Sequence, residues 1–157
     1  MTTDHTSGFR RVMPTDAALR PLLDDLTAEY RRRYGPNNEM TSFPDSDFAP
    51  PYGGFLVLVE NGETTAGGAF RRHDESTAEL KRIWTHPGHR RRGLGRLVVR
   101  ELEREAARQG YRRVVLTTGP RQPEATALYI ATGYLPLFDT GADPETIGPL
   151  SFEKPLP

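Results

Sequence analysis

The stretch Leu94–Gln109 constrains the fold more than any other. Leu94, Leu97, Val98, Leu102 and Ala106 recur at helical spacing and form one apolar face, and Gly110 stands where the helix has to stop. A helix with a single apolar stripe must cover another layer. Strand-like runs on both sides supply it. Phe55–Glu60 and Thr64–Arg72 read as strands joined at Asn61-Gly62, a strong hairpin signal. Glu79–Thr85 reads as a third strand ending at Pro87, and Arg113–Thr118, with Val114-Val115-Leu116, as a buried one.

The flanks complete the pattern. Phe9–Met13 reads as a short strand that ends at Pro14-Thr15-Asp16, where Thr15 or Asp16 is placed to cap a helix. Leu19, Leu22, Leu23, Leu26, Tyr30 and Tyr34 follow at helical spacing, with Pro21 marking a break between two helices. Residues 35–54 are rich in Pro, Asn, Ser and Asp and read as a long loop of the kind that covers a substrate. Pro123–Thr132 reads as a shorter helix stopped by Gly133, followed by strands over Tyr134–Leu137 and Leu150–Lys154. Strand, helices, three strands, helix, strand, helix, two strands is an α/β order with a mixed sheet, expected as one domain over residues 1–157.

Composition narrows the function. With 157 residues, 36% hydrophobic and 27% charged, the chain is long enough for a real core. Its 21 basic and 21 acidic side chains cancel, so charge supports neither a nucleic-acid partner nor a membrane partner. Cysteine is absent, which excludes disulfides, thiolate metal sites and a cysteine nucleophile. Met1–Gly8 has no apolar signal-peptide core, and the longest apolar run, Phe55–Val59, is too short to span a bilayer, so a cytoplasmic location is expected.

The chemistry concentrates in Arg90-Arg91-Arg92-Gly93-Leu94-Gly95-Arg96. Arginines surround the start of the long helix, and the first acid after them is Glu101. A helix N-terminus carries partial positive charge, so cations there are unfavourable by roughly 0.3–1 kcal/mol each unless an anion completes them. Gly93 and Gly95 allow backbone N–H groups to approach that anion, for which a phosphate or pyrophosphate is the natural occupant. An exposed basic turn is the bland alternative. A nucleotide-hydrolase loop fails because Arg96-Leu97 replaces Lys-Ser/Thr, and a dinucleotide fold fails because Val98 stands at its third glycine and Val114–Thr118 carries no acid.

These residues resemble a known family. His86-Pro87-Gly88-His89-Arg90-Arg91-Arg92-Gly93-Leu94-Gly95 resembles the acetyl-CoA signature of the GNAT N-acetyltransferases, with core Arg/Gln-x-x-Gly-x-Gly/Ala at Arg90, Gly93 and Gly95. Thr118-Gly119, Gln122-Pro123-Glu124-Ala125, Leu128-Tyr129 and Gly133-Tyr134 resemble the family's last helix and following strand. The resemblance runs from about Phe9 to Lys154. It implies a central sheet splayed into a V-shaped cleft with flanking helices, with pantetheine pairing to backbone groups of Ile83 and Thr85. The coenzyme pyrophosphate is expected on the amides of Arg91–Arg96 and near Gln122. Arg91 stands where a glycine is common, and Gln122 where many members have asparagine; the Gln122–Ala125 run resembles a bacterial subgroup with varied small-molecule acceptors.

Tyr129 matches the family tyrosine beside the departing sulfur, where a phenol donates a proton or hydrogen bond; the alternative is a core tyrosine. An amine must lose a proton before or during attack, and Glu79 is the first choice of base, acting through water, with Glu29 and Tyr30 as alternatives. Glu79 also reads as a strand-edge charge paired with Lys81 or Arg82. The acceptor is expected to be a small amine bounded by the first helices and the 35–54 loop, where Glu29, Tyr30, Tyr34, Glu39, Phe43, Phe48 and Tyr52 are candidates to line a pocket. His86 and His89, with no third ligand nearby in sequence, make a poor metal site, and none is expected. The resemblance implies acetyl transfer by direct attack in a ternary complex and admits a homodimer; a CoA or acyl-CoA sensor with the same fold is the competing reading.

Overall fold

The computed structural model describes residues 8–157; Met1–Ser7, covered by the expectation of no signal peptide, lie outside the described residues. Seven strands form a mixed sheet, β1 (Phe9–Arg11), β2 (Gly54–Glu60), β3 (Glu63–Asp74), β4 (Thr77–Thr85), β5 (Arg113–Thr118), β6 (Leu135–Pro136) and β7 (Leu150–Pro155), in the order β1-β2-β3-β4-β5-β7-β6. The helices are α1 (Arg20–Tyr34), α2 (Leu94–Arg108), α3 (Pro123–Ala131) and the single turn α4 (Pro144–Ile147), which has no counterpart in the sequence expectation. Asn61 and Gly62 both take positive φ, at 52° and 80°, the conformation a two-residue hairpin demands.

Two expectations change. Pro21 does not separate two helices. A 3-10 turn over Ala17–Leu19, capped by Asp16, leads directly into α1, and Pro21 sits in the first helical turn, where no N–H is needed. Residues 35–54 are not all loop: Asp45–Phe48 forms a 3-10 turn that delivers Phe48 into the core.

Alternation along β2 builds two cores. Leu56 and Leu58 join the cluster under α2 with Val98, Val99 and Leu102, while Phe55 and Val57 join Leu19, Leu22 and Leu26 from the α1 side. In β4 the alternation breaks. Gly67 opposes Trp84 and Ala69 opposes Lys81, so Arg82 and Ile83 together face Gly68 in a bulge, and Arg82 takes φ 59°. The extra residue returns Ile83 to the α2 face and turns Trp84 to the α1 face. Gly68 has no room for a side chain: a Cβ there would lie 2.9–3.0 Å from Ile83, Val98 and Leu102.

On its other edge β4 runs parallel to β5 over three pairs, Thr77–Arg113, Ala78–Val114 and Glu79–Val115. Beyond them the strands part, β5 staying paired with β7 as far as Thr118. Gly68→Ala should destabilise the protein by about 1–3 kcal/mol through overpacking at the bulge, read as a lower urea midpoint with unchanged m.

Candidate active site

Where β4 and β5 separate, two cavities open and meet. The first, about 370 Å³, lies between Leu80–Ile83 of β4 and Leu116–Gly119 beyond it, roofed by Tyr30, Glu39, Met40, Phe43 and Phe48. The second, about 460 Å³, runs between α1 and α3 along Ile83, Trp84 and Thr85 to Arg90 and Gly95. Ile83, Gln122, Ala125 and Tyr129 line both.

Tyr129 is buried against Tyr134 and Phe152, at ring-centroid distances of 5.9 and 5.7 Å. Its hydroxyl makes no hydrogen bond among the described residues. Burial pushes the phenol well above its ordinary value, with the neighbouring Tyr30 adding to the shift, so it holds its proton at neutral pH. A core tyrosine ordinarily satisfies its hydroxyl; this one is directed to a junction between cavities instead.

The arginine-glycine turn opens α2 without a side-chain cap and without an acid in the first turn. Gly93 is the N-cap at φ 74°, and a Cβ there would meet nothing within 4 Å. Arg91 takes φ 67°, a conformation costing an L residue roughly 1–2 kcal/mol that glycine adopts freely, which accounts for the glycine common at this position. Arg90 lies 3.9 Å from Glu29, whereas Arg91 and Arg96 are exposed with no carboxylate partner among the described residues. The side chain of Arg92 turns away, paired through both terminal nitrogens with Glu60 at 3.0 and 2.8 Å. A helix start without a side-chain cap, the open Gly93 and guanidinium groups without a carboxylate partner together fit a pyrophosphate. The β5-facing edge of Leu80–Thr85, which includes Ile83 and Thr85, has no strand partner among the described residues and borders the cavities.

The remaining candidates separate. Gln122 accepts from the Gly119 N–H at 3.1 Å and from the hydroxyls of Thr118 and Tyr34 at 3.3 and 3.2 Å, holding the turn before α3. Tyr34 crosses so close to Gly119 that a Cβ there would stand 1.9 Å from its oxygen. Tyr30 and Tyr34 line the first cavity, and Glu29 the second. Glu79 lines neither: its carboxylate accepts from Arg71 at 2.9 Å, with Lys81 at 3.9 Å. Tyr52 is also outside both, 56% exposed beneath Arg72.

Two features had no usable sequence signal. The hairpin brings Glu63 to His86 and His89, at 3.4 and 2.8 Å. The Nδ1 atoms accept from the Gly88 N–H and from Arg92, which turns both Nε2 atoms toward Glu63 and ties the hairpin to the loop; Glu63 is thus the third potential ligand that the sequence reading lacked, the ligand atoms of the three residues lying within 4.8 Å of one another. The other feature is Arg82, 9% exposed in the first cavity, where alternation alone would put it opposite.

The comparisons with known proteins agree with this geometry. The model of the "Acetyltransferase (GNAT) family" matches residues 20–134. A Bacillus subtilis (strain 168) protein, the uncharacterized N-acetyltransferase YsnE, is 31% identical over 98 residues, 59% of this chain and 65% of its own length, so the match spans just under two thirds of that relative. An acetyltransferase structure from Streptococcus agalactiae 2603 superposes with a TM-score of 0.73 at 21% identity, over 95% of this chain and 99% of its own. A GNAT phosphinothricin acetyltransferase from Sinorhizobium meliloti in complex with AcCoA gives 0.66 at 17% identity, over 94% and 87%. The family model covers most of the chain, and the splayed mixed sheet with an uncapped helix start at its cleft agrees with it. The chain belongs to the GNAT family. None of its described helices is long and apolar enough to cross a membrane.

Burial raises the Tyr30 phenol from 10 to about 12, with Glu39 and Glu29 adding to the shift. The folded state therefore holds a proton that the unfolded chain releases first. Stability is fully present below about pH 10 and falls as pH rises toward about 12. Tyr30→Phe should make that fall shallower in urea titrations compared at pH about 9 and about 11.

Proposed function

We propose that the protein transfers an acetyl group from acetyl-CoA to a small-molecule amine by direct attack, both substrates being held at once. The observation that carries this is Tyr129, a buried phenol whose hydroxyl has no hydrogen-bond partner among the described residues, in the wall shared by the two cavities. The second cavity, ending at Arg90 and Gly95, takes the coenzyme: its pyrophosphate on the amides of residues 91–96, Leu94 among them, with Arg91 and Arg96 nearby, its pantetheine along Ile83 and Thr85, and Gln122 bounding the path. The first cavity takes the acceptor.

The amine nitrogen adds to the thioester carbonyl, the carbon–sulfur bond breaks, and the Tyr129 hydroxyl donates to the departing sulfur. The proton lost by the amine needs a route out of the cleft. Glu39 and Tyr30 line the acceptor cavity and Glu29 the coenzyme cavity, whereas the first expectation, Glu79, is occupied by Arg71. Glu39, which lines the cavity and pairs only loosely with Lys81 at 3.7 Å, is the preferred acceptor of that proton, directly or through water. A cytoplasmic setting, where acetyl-CoA is available, suits the reaction.

Thiol release from acetyl-CoA across a panel of amines tests the proposal. CoA binding without turnover on any amine would leave the sensor reading in its place. Tyr129→Phe should lower kcat by about a hundredfold or more with the CoA dissociation constant nearly unchanged; a large loss of CoA affinity would mark a packing role instead. Gly95→Glu should abolish CoA binding by calorimetry, since Leu128 and Thr85 already lie 3.2 and 3.8 Å from a Cβ there and the added charge is negative.

A further inference from the structure

The bulge in β4 places two cations side by side in the acceptor cavity. Lys81 and Arg82 both line it, and they are not equivalent. Lys81 is compensated, with Glu39 at 3.7 Å, Glu79 at 3.9 Å and the Phe43 ring at 4.9 Å. Its neighbour Arg71 is compensated as well, by Asp47 at 3.2 Å and Glu79 at 2.9 Å. Arg82 is more deeply buried than either, yet no carboxylate lies within 4 Å of it among the described residues. Its guanidinium rests on the Phe48 ring at 4.5 Å and spends one N–H on the Met40 carbonyl at 3.0 Å. A guanidinium has five donors in a fixed fork, and among the described residues no other acceptor takes one here.

Asp45 and Glu39 act on it only at longer range, and a buried cation with no counter-charge in contact is expensive. The cost is repaid if an anionic group of the substrate completes the site. Arginine presents paired N–H groups that match a carboxylate. Met40, Phe43, Ile83 and Leu116 supply apolar surface around it, and Glu39 supplies a place for an ammonium group. We propose that the acceptor is a small amino carboxylate with an apolar body, its carboxylate received by Arg82 and its amine directed toward Tyr129. The assignment rests on the acetyltransferase reading and narrows its substrate class.

The test uses the full chain and three matched acceptors: phenylalanine, phenylalaninamide and phenethylamine, which share a body and differ in the carboxylate. Thiol release should favour phenylalanine over phenylalaninamide in kcat/KM by about tenfold or more, the worth of a charge-assisted hydrogen bond. In Arg82→Gln that ratio should fall to about one, chiefly through KM, and Arg82→Lys should restore part of it. A wild-type preference for the amide or the decarboxylated amine overturns the proposal, as does a loss in Arg82→Gln that is equal for all three acceptors, which is the signature of a purely structural clip on Met40 and Phe48. A thermal-shift titration with N-acetylphenylalanine in the presence of CoA separates the two levels of inference. Saturable stabilisation that N-acetylphenylalaninamide lacks, and that Arg82→Gln loses, upholds the carboxylate site even if no acceptor turns over and acetyl transfer itself fails. Equal shifts from acid and amide overturn it.

Discussion

Backbone N–H and C=O groups are costly to bury unpaired, and in a sheet the neighbouring strand normally satisfies them. β4 and β5 meet this requirement over three register pairs and then separate, so the rest of β4 borders open cavities on that edge. The separation is supported from both sides. β5 keeps its ladder with β7 to the end, and the bulge at Arg82 and Ile83 bends β4 where Gly68 lets α2 pack close. The cleft, the exposed strand edge and the approach to the start of α2 all follow from that one interrupted ladder.

Charge is arranged around the same opening. The chain is neutral in sum, but the neutrality is local and uneven. Arg92, Arg71 and Lys81 are tied to Glu60, to Asp47 and Glu79, and to Glu39 and Glu79, and serve to fix the hairpin and the roof over the cleft. Arg91, Arg96 and Arg82 have no such partners among the described residues; the first two flank the turn whose Arg90 and Gly95 close the second cavity, and Arg82 lines the first. Positive charge left uncompensated at a helix start and in a cleft is where anionic groups are drawn. Tyr129, in the wall shared by the two cavities, is kept protonated by its burial and adds no charge.

Elements whose signal lies within a few residues were legible in the chain. The face of α2, the Asn61-Gly62 turn and the run Val114-Val115-Leu116 declare themselves by period, turn chemistry and apolar content, and these elements formed within a residue or so of expectation. The candidate phosphate seat was readable for the same reason, since glycines, arginines and helix start are contiguous. The β4 bulge was not readable. Alternation predicts that Arg82 and Trp84 share a face with Leu80, and a single residue in the left-handed region reverses this with no mark in the sequence.

The sequence by itself determined the order of the main helices and strands, because each is written in neighbouring residues whose spacing obeys a helix, a strand or a tight turn; it also carried the motifs of the family resemblance and marked the candidate phosphate seat. Tertiary structure alone decided which charges are spent and which remain available: Glu79 taken by Arg71, Arg92 by Glu60, Glu63 brought to His86 and His89, and Arg82 left inside the cleft. Those outcomes depend on side chains from separate strands and loops meeting at a few ångströms. Local periodicity carries no record of that distance.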